Sequence, residues 1–174
     1  MNRTFRILLD IMLMLGLVFI DLLTKKAAEA NLMDKPAFEL IPGILELYYL
    51  PGGNTGAAWG LLSGHQVFFI IVSVVVVLCI LFLIIRLPDG DKYTDLRVLL
   101  VFIAAGGIGN MIDRLTLNSV RDFIYIKAIN FPIFNVADMY VSCSIVILML
   151  LLIFKYKDED LEALKEEIRF KKKN

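Results

Sequence analysis

Long apolar runs alternate with short charged segments along the chain. Val67 to Ile85 is 19 residues without a charge, about the length that crosses ~30 Å of hydrocarbon. Three further runs, Ile7–Leu23, Leu96–Ile112 and Phe134–Phe154, carry one or two charges each. Four such runs in 174 residues leave too little polar chain to cover them in water. The pattern therefore predicts an α-helical polytopic membrane protein with four transmembrane helices, at about residues 5–25, 67–87, 96–113 and 135–155.

The segments between these runs predict a small β-sheet and a charged tail. The first loop, at about residues 30–66, mixes Tyr, Ile and Leu with Pro-Gly turns, which favours short strands within Phe38–Leu50. Val120–Ile126 is another possible strand. Residues 1–157 are expected to form one membrane domain. Residues 158–174 form a charged cytoplasmic tail, predicted as a helix with Leu161 and Leu164 on one stripe that continues to Ile168.

The positions of Lys and Arg predict the orientation. Most of them lie in the N-terminal segment, the link after the second helix and the tail, and residues 36–85 contain none. Because positive residues mark the cytoplasmic side, both termini are expected in the cytoplasm. A cleavable signal peptide ending at Ala28-Glu29-Ala30 is the alternative, but cleavage would place the tail outside, against the charge distribution.

Composition excludes several kinds of chemistry. Acidic and basic residues balance at 18 each, so no strong field indicates a nucleic-acid partner. Both cysteines lie inside apolar runs, and there is a single histidine, His65. A disulfide framework, a thiolate site and a multi-histidine zinc site are therefore excluded. We expect no metal and no cofactor.

Charged side chains inside the first apolar run need partners. Asp10 lies one turn from Arg6, so we expect a local Arg6–Asp10 ion pair. Asp21 and Lys25 are four residues apart at the outer end of the first helix and share one face. This second pair either orients the helix end or contacts substrate, and the sequence does not choose between these roles.

Polar residues cluster at the outer ends of the third and fourth helices. Asn110, Asp113 and Arg114 are spaced i, i+3, i+4, on one face of the third helix. Asn135 followed by Asp138 is close to a capping box at the start of the fourth helix. Polar groups in such positions are functional candidates by default.

Asp122 lies between the third and fourth helices and joins this set. On its own it could be an ordinary loop acid paired with Arg121 or Arg114. Two carboxylates in a partly desolvated site tend to share a proton, so one can activate water while the other protonates a carbonyl. An aspartate dyad is therefore the simplest hydrolase that this chain could form, although residue chemistry alone does not prefer Asp122 to Asp113.

Three alternatives carry different expectations. A serine hydrolase would use Ser63 and His65, but a loop histidine beside glycine is usually just exposed. An ion-coupled transporter would place carboxylates near the middle of the bilayer, whereas these acids lie at the outer end. A non-enzymatic scaffold would tolerate replacement of the polar cluster.

Five motifs occur in an order that resembles the lipoprotein signal peptidase (signal peptidase II) family of aspartic peptidases. The resemblance covers about Asp21 to Tyr140, and Trp59 stands where the family more often has phenylalanine. The motifs are Asp21-Leu22-Leu23-Thr24-Lys25, Asn54-Thr55-Gly56-Ala57-Ala58-Trp59-Gly60, Gly106-Gly107-Ile108-Gly109-Asn110-Met111-Ile112-Asp113-Arg114, Val120-Arg121-Asp122-Phe123 and Phe134-Asn135-Val136-Ala137-Asp138.

The resemblance implies an intramembrane endopeptidase of the bacterial inner membrane with its active site near the outer leaflet. Its substrate would be a prolipoprotein signal peptide, cut before a cysteine that carries diacylglycerol, and we expect a monomer in contact with membrane lipid. Asp122 and Asp138 match the catalytic pair. The positions matching substrate-binding or supporting residues are Asp21, Lys25, Asn54, Gly56, Asn110, Asp113, Arg114, Asn135 and Ala137.

Overall fold

The computed structural model describes residues 2–56, 66–88 and 90–168. Within these ranges, four helices are long and apolar enough to cross a membrane. They are α1 (Arg3–Leu32), α2 (Gln66–Arg86), α3 (Thr94–Leu117) and α4 (Val136–Phe154). The predicted four-helix membrane fold is confirmed. The expectations for Trp59 and for Ser63 and His65 fall outside the described residues.

Helix α3 lies at the centre of the bundle and packs against α1, α2 and α4. Val101, Ala104 and Ala105 in its middle are completely buried. Small residues at such positions let helix backbones approach closely. The least hydrophobic of the four spans is therefore the most buried one, because it faces protein on three sides.

Helix α1 is longer than the sequence predicted. Its 30 residues extend about 45 Å at ~1.5 Å per residue, which exceeds the thickness of the hydrocarbon layer. The prediction ended this helix near residue 25, with Asp21 and Lys25 at its outer end. In the structure, Lys25 is buried against α3. The helix continues past it to Leu32.

Three short strands form an antiparallel sheet in the order β1-β2-β3, which confirms the expected small sheet. The strands are β1 (Phe38–Ile41), β2 (Leu45–Leu47) and β3 (Ile124–Ile126). The third strand is shorter than the predicted Val120–Ile126, because Val120 instead forms an isolated bridge with Asn54. We call the end of the bundle that carries β1–β3, the C-terminal ends of α1 and α3 and the start of α4 the sheet end.

Ion pairs and hydrogen bonds at the opposite end of the bundle join α1 to α3 and to the link before α3. Arg97 of α3 donates to Asp10 of α1 at 2.7 Å. Arg6 donates to the Gly90 carbonyl at 3.0 Å and to Asp91 at 3.3 Å. The expected Arg6–Asp10 pair is therefore wrong, because each partner finds a charge or carbonyl from another part of the fold.

The tail begins with helix α5 (Asp158–Ile168), as predicted for the described part of residues 158–174. Leu161 and Leu164 pack against the hydrophobic core. Just before α5, the Tyr156 ring stacks on Tyr93 with centroids 5.7 Å apart. The tail helix is thus held on the bundle by its apolar stripe and by this aromatic pair.

Gly106 offers a test of the α3–α4 contact. A Cβ at this position would lie 2.5 Å from the carbonyl oxygen of Ala137, which is backbone and has little freedom to move. We expect Gly106→Ala to lower the free energy of unfolding by about 1–3 kcal/mol, as overpacking typically does, measured by thermal unfolding in detergent. Gly16 is a matched control, because it lies exposed in α1 with no atom near its Cβ position. Gly16→Ala should be neutral or stabilise by up to ~1 kcal/mol, and equal loss in both variants would contradict the tight contact.

Candidate active site

Asp122 and Asp138 lie in one polar cluster at the sheet end, where the negative charge of Asp138 acts on Asp122. Asp138 occupies the first turn of α4, and Asp122 lies in the segment that leads into β3. Asn135 caps α4: its side chain accepts from the Asp138 N–H, and the Asp138 carboxylate accepts from the Asn135 N–H, both at 3.1 Å. The predicted capping box is confirmed, and it fixes the Asp138 side chain at the start of the helix.

Three asparagine amides surround the two carboxylates. Asp122 accepts from Asn135 Nδ2 at 2.6 Å through one oxygen and from Asn54 Nδ2 at 2.9 Å through the other. Asp138 accepts from Asn110 Nδ2 at 2.7 Å through the oxygen that does not cap the helix. Each of the four carboxylate oxygens therefore receives one N–H, which holds both groups in fixed orientations.

The orientation of two of these amides follows from backbone donors. Asn54 Oδ1 accepts from the Gly56 N–H at 3.0 Å, and Asn135 Oδ1 accepts from the Asp138 N–H. Because an N–H can only donate, the amide oxygen must face it and the NH2 group must point the other way. Asn54 and Asn135 therefore present donors to Asp122.

A buried cluster of charged side chains contacts the residues around the two carboxylates. Asp21, Lys25 and Asp113 have no solvent exposure. Lys25 Nζ donates to Asp21 at 2.8 Å and lies 3.6 Å from an oxygen of Asp113. The second oxygen of Asp21 accepts from the Ala137 N–H at 3.0 Å, so α1 holds the N-terminus of α4 directly. Lys25 is fully enclosed by protein groups.

Arg121 is a residue whose role the sequence analysis missed. Its backbone N–H donates to Asp113 at 3.0 Å, and its guanidinium contacts Asp113 at 2.5 Å and Glu29 at 3.1 Å. The suggested Asp122–Arg121 ion pair is therefore wrong. Arg121 instead anchors the segment that carries Asp122 to α3 and α1, a contact that spacing along the chain could not indicate.

Arg114 differs from the other cations of the site. Its guanidinium lies over the Phe69 ring of α2, 5.2 Å from the centroid, and its buried Nε has no hydrogen-bond partner among the described residues. Its charge attracts Asp138 and Asp122. A guanidinium with remaining donors beside two carboxylates can bind a carbonyl or carboxylate of a ligand.

The surroundings of Asp122 favour its protonated form. Burial, followed by the negative charge of Asp138, raises the pKa of Asp122 to about 7, although the bonds from Asn54 and Asn135 oppose the change. The side chain is only 2% exposed. A carboxyl group with a raised pKa can act as a general acid, while a neighbouring ionised carboxylate acts as a general base.

Comparisons with known proteins show what this chain is similar to. Residues 13–154 match the family model described as signal peptidase (SPase) II. The lipoprotein signal peptidase of Enterococcus faecalis is 40% identical over 81% of this chain and 85% of that protein. That of Latilactobacillus sakei is 38% identical over 87% and 95%. A bacterial membrane enzyme solved at 2.3 Å by the in meso method superimposes with a TM-score of 0.73 at 30% identity, covering 86% of this chain and 92% of that chain.

The raised pKa of Asp122 has a consequence for stability. The unfolded chain releases this proton near pH 4, whereas the folded protein keeps it to about pH 7. The folded state therefore loses stability as pH rises through this window. We expect the melting temperature of the wild type to fall between pH 5 and pH 8, and to fall less in Asp122→Asn. Glu159→Gln, at an exposed site, should keep the wild-type slope, and equal slopes in all three proteins would show that Asp122 is ionised at pH 5.

Proposed function

The chain belongs to the signal peptidase II family, and we propose that it is an endopeptidase that cuts the signal peptide from diacylglyceryl-modified prolipoproteins. The curated relatives are lipoprotein signal peptidases that align over most of their own length. The observation that carries the proposal is the dyad itself. One buried and one half-buried carboxylate lie in a fixed array of N–H donors, and burial raises the pKa of the buried one, Asp122, to about 7.

We place the sheet end at the outer leaflet, with both termini in the cytoplasm. The support is the distribution of Lys and Arg, which are concentrated in the segments of the opposite end. Apolar side chains on β1 and the following turn are exposed, among them Phe38, Leu40 and Ile44. Such residues suit a sheet that rests on the membrane interface.

The substrate peptide would lie beside α3 with its scissile bond at the dyad. Arg114 lies over the Phe69 ring of α2 and is suited to bind a carbonyl near that bond. The diacylglyceryl group would remain in the outer leaflet, where the lipid part of the substrate contacts membrane lipid. One copy of the chain brings both carboxylates and all three amides together, so a monomer suffices.

In the proposed mechanism, Asp138 is the base and Asp122 carries the shared proton. The Asp138 carboxylate removes a proton from water as the water oxygen attacks the scissile carbonyl carbon. Asp122 transfers its proton to the carbonyl oxygen, which gives a tetrahedral diol. Asp138 then gives its proton to the leaving nitrogen while the C–N bond breaks. Asp122 recovers a proton from the diol hydroxyl, and both groups return to their starting states.

Cleavage of a defined substrate tests this function. We expect the wild type, in detergent or lipid, to cut a diacylglyceryl-modified prolipoprotein and not its unlipidated precursor. Asp122→Asn and Asp138→Asn should each lose activity by at least about 10²- to 10⁴-fold, the usual contribution of acid–base catalysis, while still unfolding cooperatively. Asp34→Asn, at an exposed turn, is the matched control and should cleave normally. Activity retained in either dyad variant would refute the mechanism, and an inactive wild type would refute the substrate assignment.

The proposed chemistry needs no metal ion. Within residues 2–56, 66–88 and 90–168, no group of three His, Cys, Asp or Glu side chains is placed to hold one. We expect cleavage rates to stay unchanged after dialysis against EDTA. A loss of activity that zinc or another divalent ion restores would replace the dyad mechanism with metal-assisted hydrolysis.

A further inference from the structure

Lys25 has a role at the site that its burial alone does not explain. Its ammonium group, which can only donate, makes a second hydrogen bond of 2.8 Å to Asn110 Oδ1. The same Asn110 donates through Nδ2 to Asp138 at 2.7 Å. The chain of contacts therefore runs from α1 through α3 to a proposed catalytic carboxylate on α4.

The Asn110 amide differs from the other two amides in how it is oriented. Backbone N–H groups fix Asn54 and Asn135, whereas the strongest donor to Asn110 Oδ1 is a side chain that can be changed. Asn135 Nδ2 also reaches this oxygen, but at 3.1 Å, and it is shared with Asp122. Without Lys25, the Asn110 amide loses the hydrogen bond that favours the orientation with its NH2 group toward Asp138.

We infer that Lys25 is a positioning residue, which locks the Asn110 amide so that it donates to Asp138 and keeps that carboxylate available as the base. This inference rests on the proposed function. If the amide turned over, a carbonyl oxygen would face the Asp138 carboxylate. An acceptor facing a carboxylate disfavours the charged form that the base needs, so Asp138 would be less effective as the base. Lys25 thereby acts on the reaction without touching substrate or water.

Other charges near the dyad must be held constant in a test. They lie on α1, on α3 and in the segment before β3, and they are Asp21, Lys25, Glu29, Asp113, Arg114 and Arg121. The Lys25 charge also lowers the pKa of Asp122. A useful comparison therefore removes the same charge in every variant and changes only the ability to donate to Asn110.

Two double variants meet this requirement. Asp21→Asn/Lys25→Gln and Asp21→Asn/Lys25→Met both remove one negative and one positive charge, and the asparagine side chain that replaces Asp21 keeps an oxygen for the Ala137 N–H. Gln and Met have side chains of equal length, but only Gln can donate to Asn110. Asp113 retains its bonds to Arg121 in both.

We expect the Gln variant to cleave at least about 10-fold faster than the Met variant at neutral pH, because a mispositioned base loses part of the 10²- to 10⁴-fold contribution of acid–base catalysis. The pH profile of kcat/KM should lie at higher pH in the Met variant than in the Gln variant. A Lys25 that only stabilises the fold would affect both variants alike. Equal rates and superimposed profiles would therefore overturn the inference.

A second measurement does not depend on the stability of the Met variant. Asn110→Ala removes the donor to Asp138 without adding a charge, so its pH profile should also move to higher pH. In an Asn110→Ala background, Gln and Met at position 25 should give equal rates, because the amide on which they act is gone. A persistent difference there, or an unmoved profile in Asn110→Ala, would contradict the inference. Cleavage by Asp122→Asn or Asp138→Asn would instead refute the proposed function itself.

Discussion

The burial of charged groups at the sheet end determines how the helices of this protein meet. Asp21, Lys25 and Asp113 have no solvent exposure, and a buried charge without a partner costs several kcal/mol. Lys25 must therefore stay close to both carboxylates, which fixes α1 against α3. Asp21 also accepts from the first turn of α4. Gly109 of α3 permits the close approach of α1, since a Cβ at that position would collide with the Asp21 carboxylate.

The same contacts create the conditions that acid–base chemistry requires. Asn135 ends the extended segment before α4, caps the helix and donates to Asp122. Arg121 holds the segment on the other side of Asp122 through Asp113. Both carboxylates are thus placed by groups that also stabilise the fold. Substitutions at these positions should accordingly affect stability and cleavage together, and separating the effects requires matched variants.

The sequence predicted the features that depend on local patterns. Apolar length identified the four spans, and the spacing of Asn135 and Asp138 identified the cap, because both are properties of a single helix. The resemblance to a family, rather than residue chemistry, preferred Asp122 to Asp113. Contacts between distant segments were not predictable. Arg97 was not foreseen as the partner of Asp10, nor Asn110 as the partner of Lys25, because nothing in the spacing of residues more than 80 apart brings them together.

The ionisation of Asp122 is the property on which the proposed chemistry depends most directly. A site-resolved titration of the two carboxylates, by NMR of carbon-13-labelled aspartate with Asp122→Asn and Asp138→Asn for assignment, measures it. We expect Asp122 to hold its proton until about pH 7. If Asp122 titrates near pH 4 as an exposed aspartate does, the division of roles within the dyad is wrong.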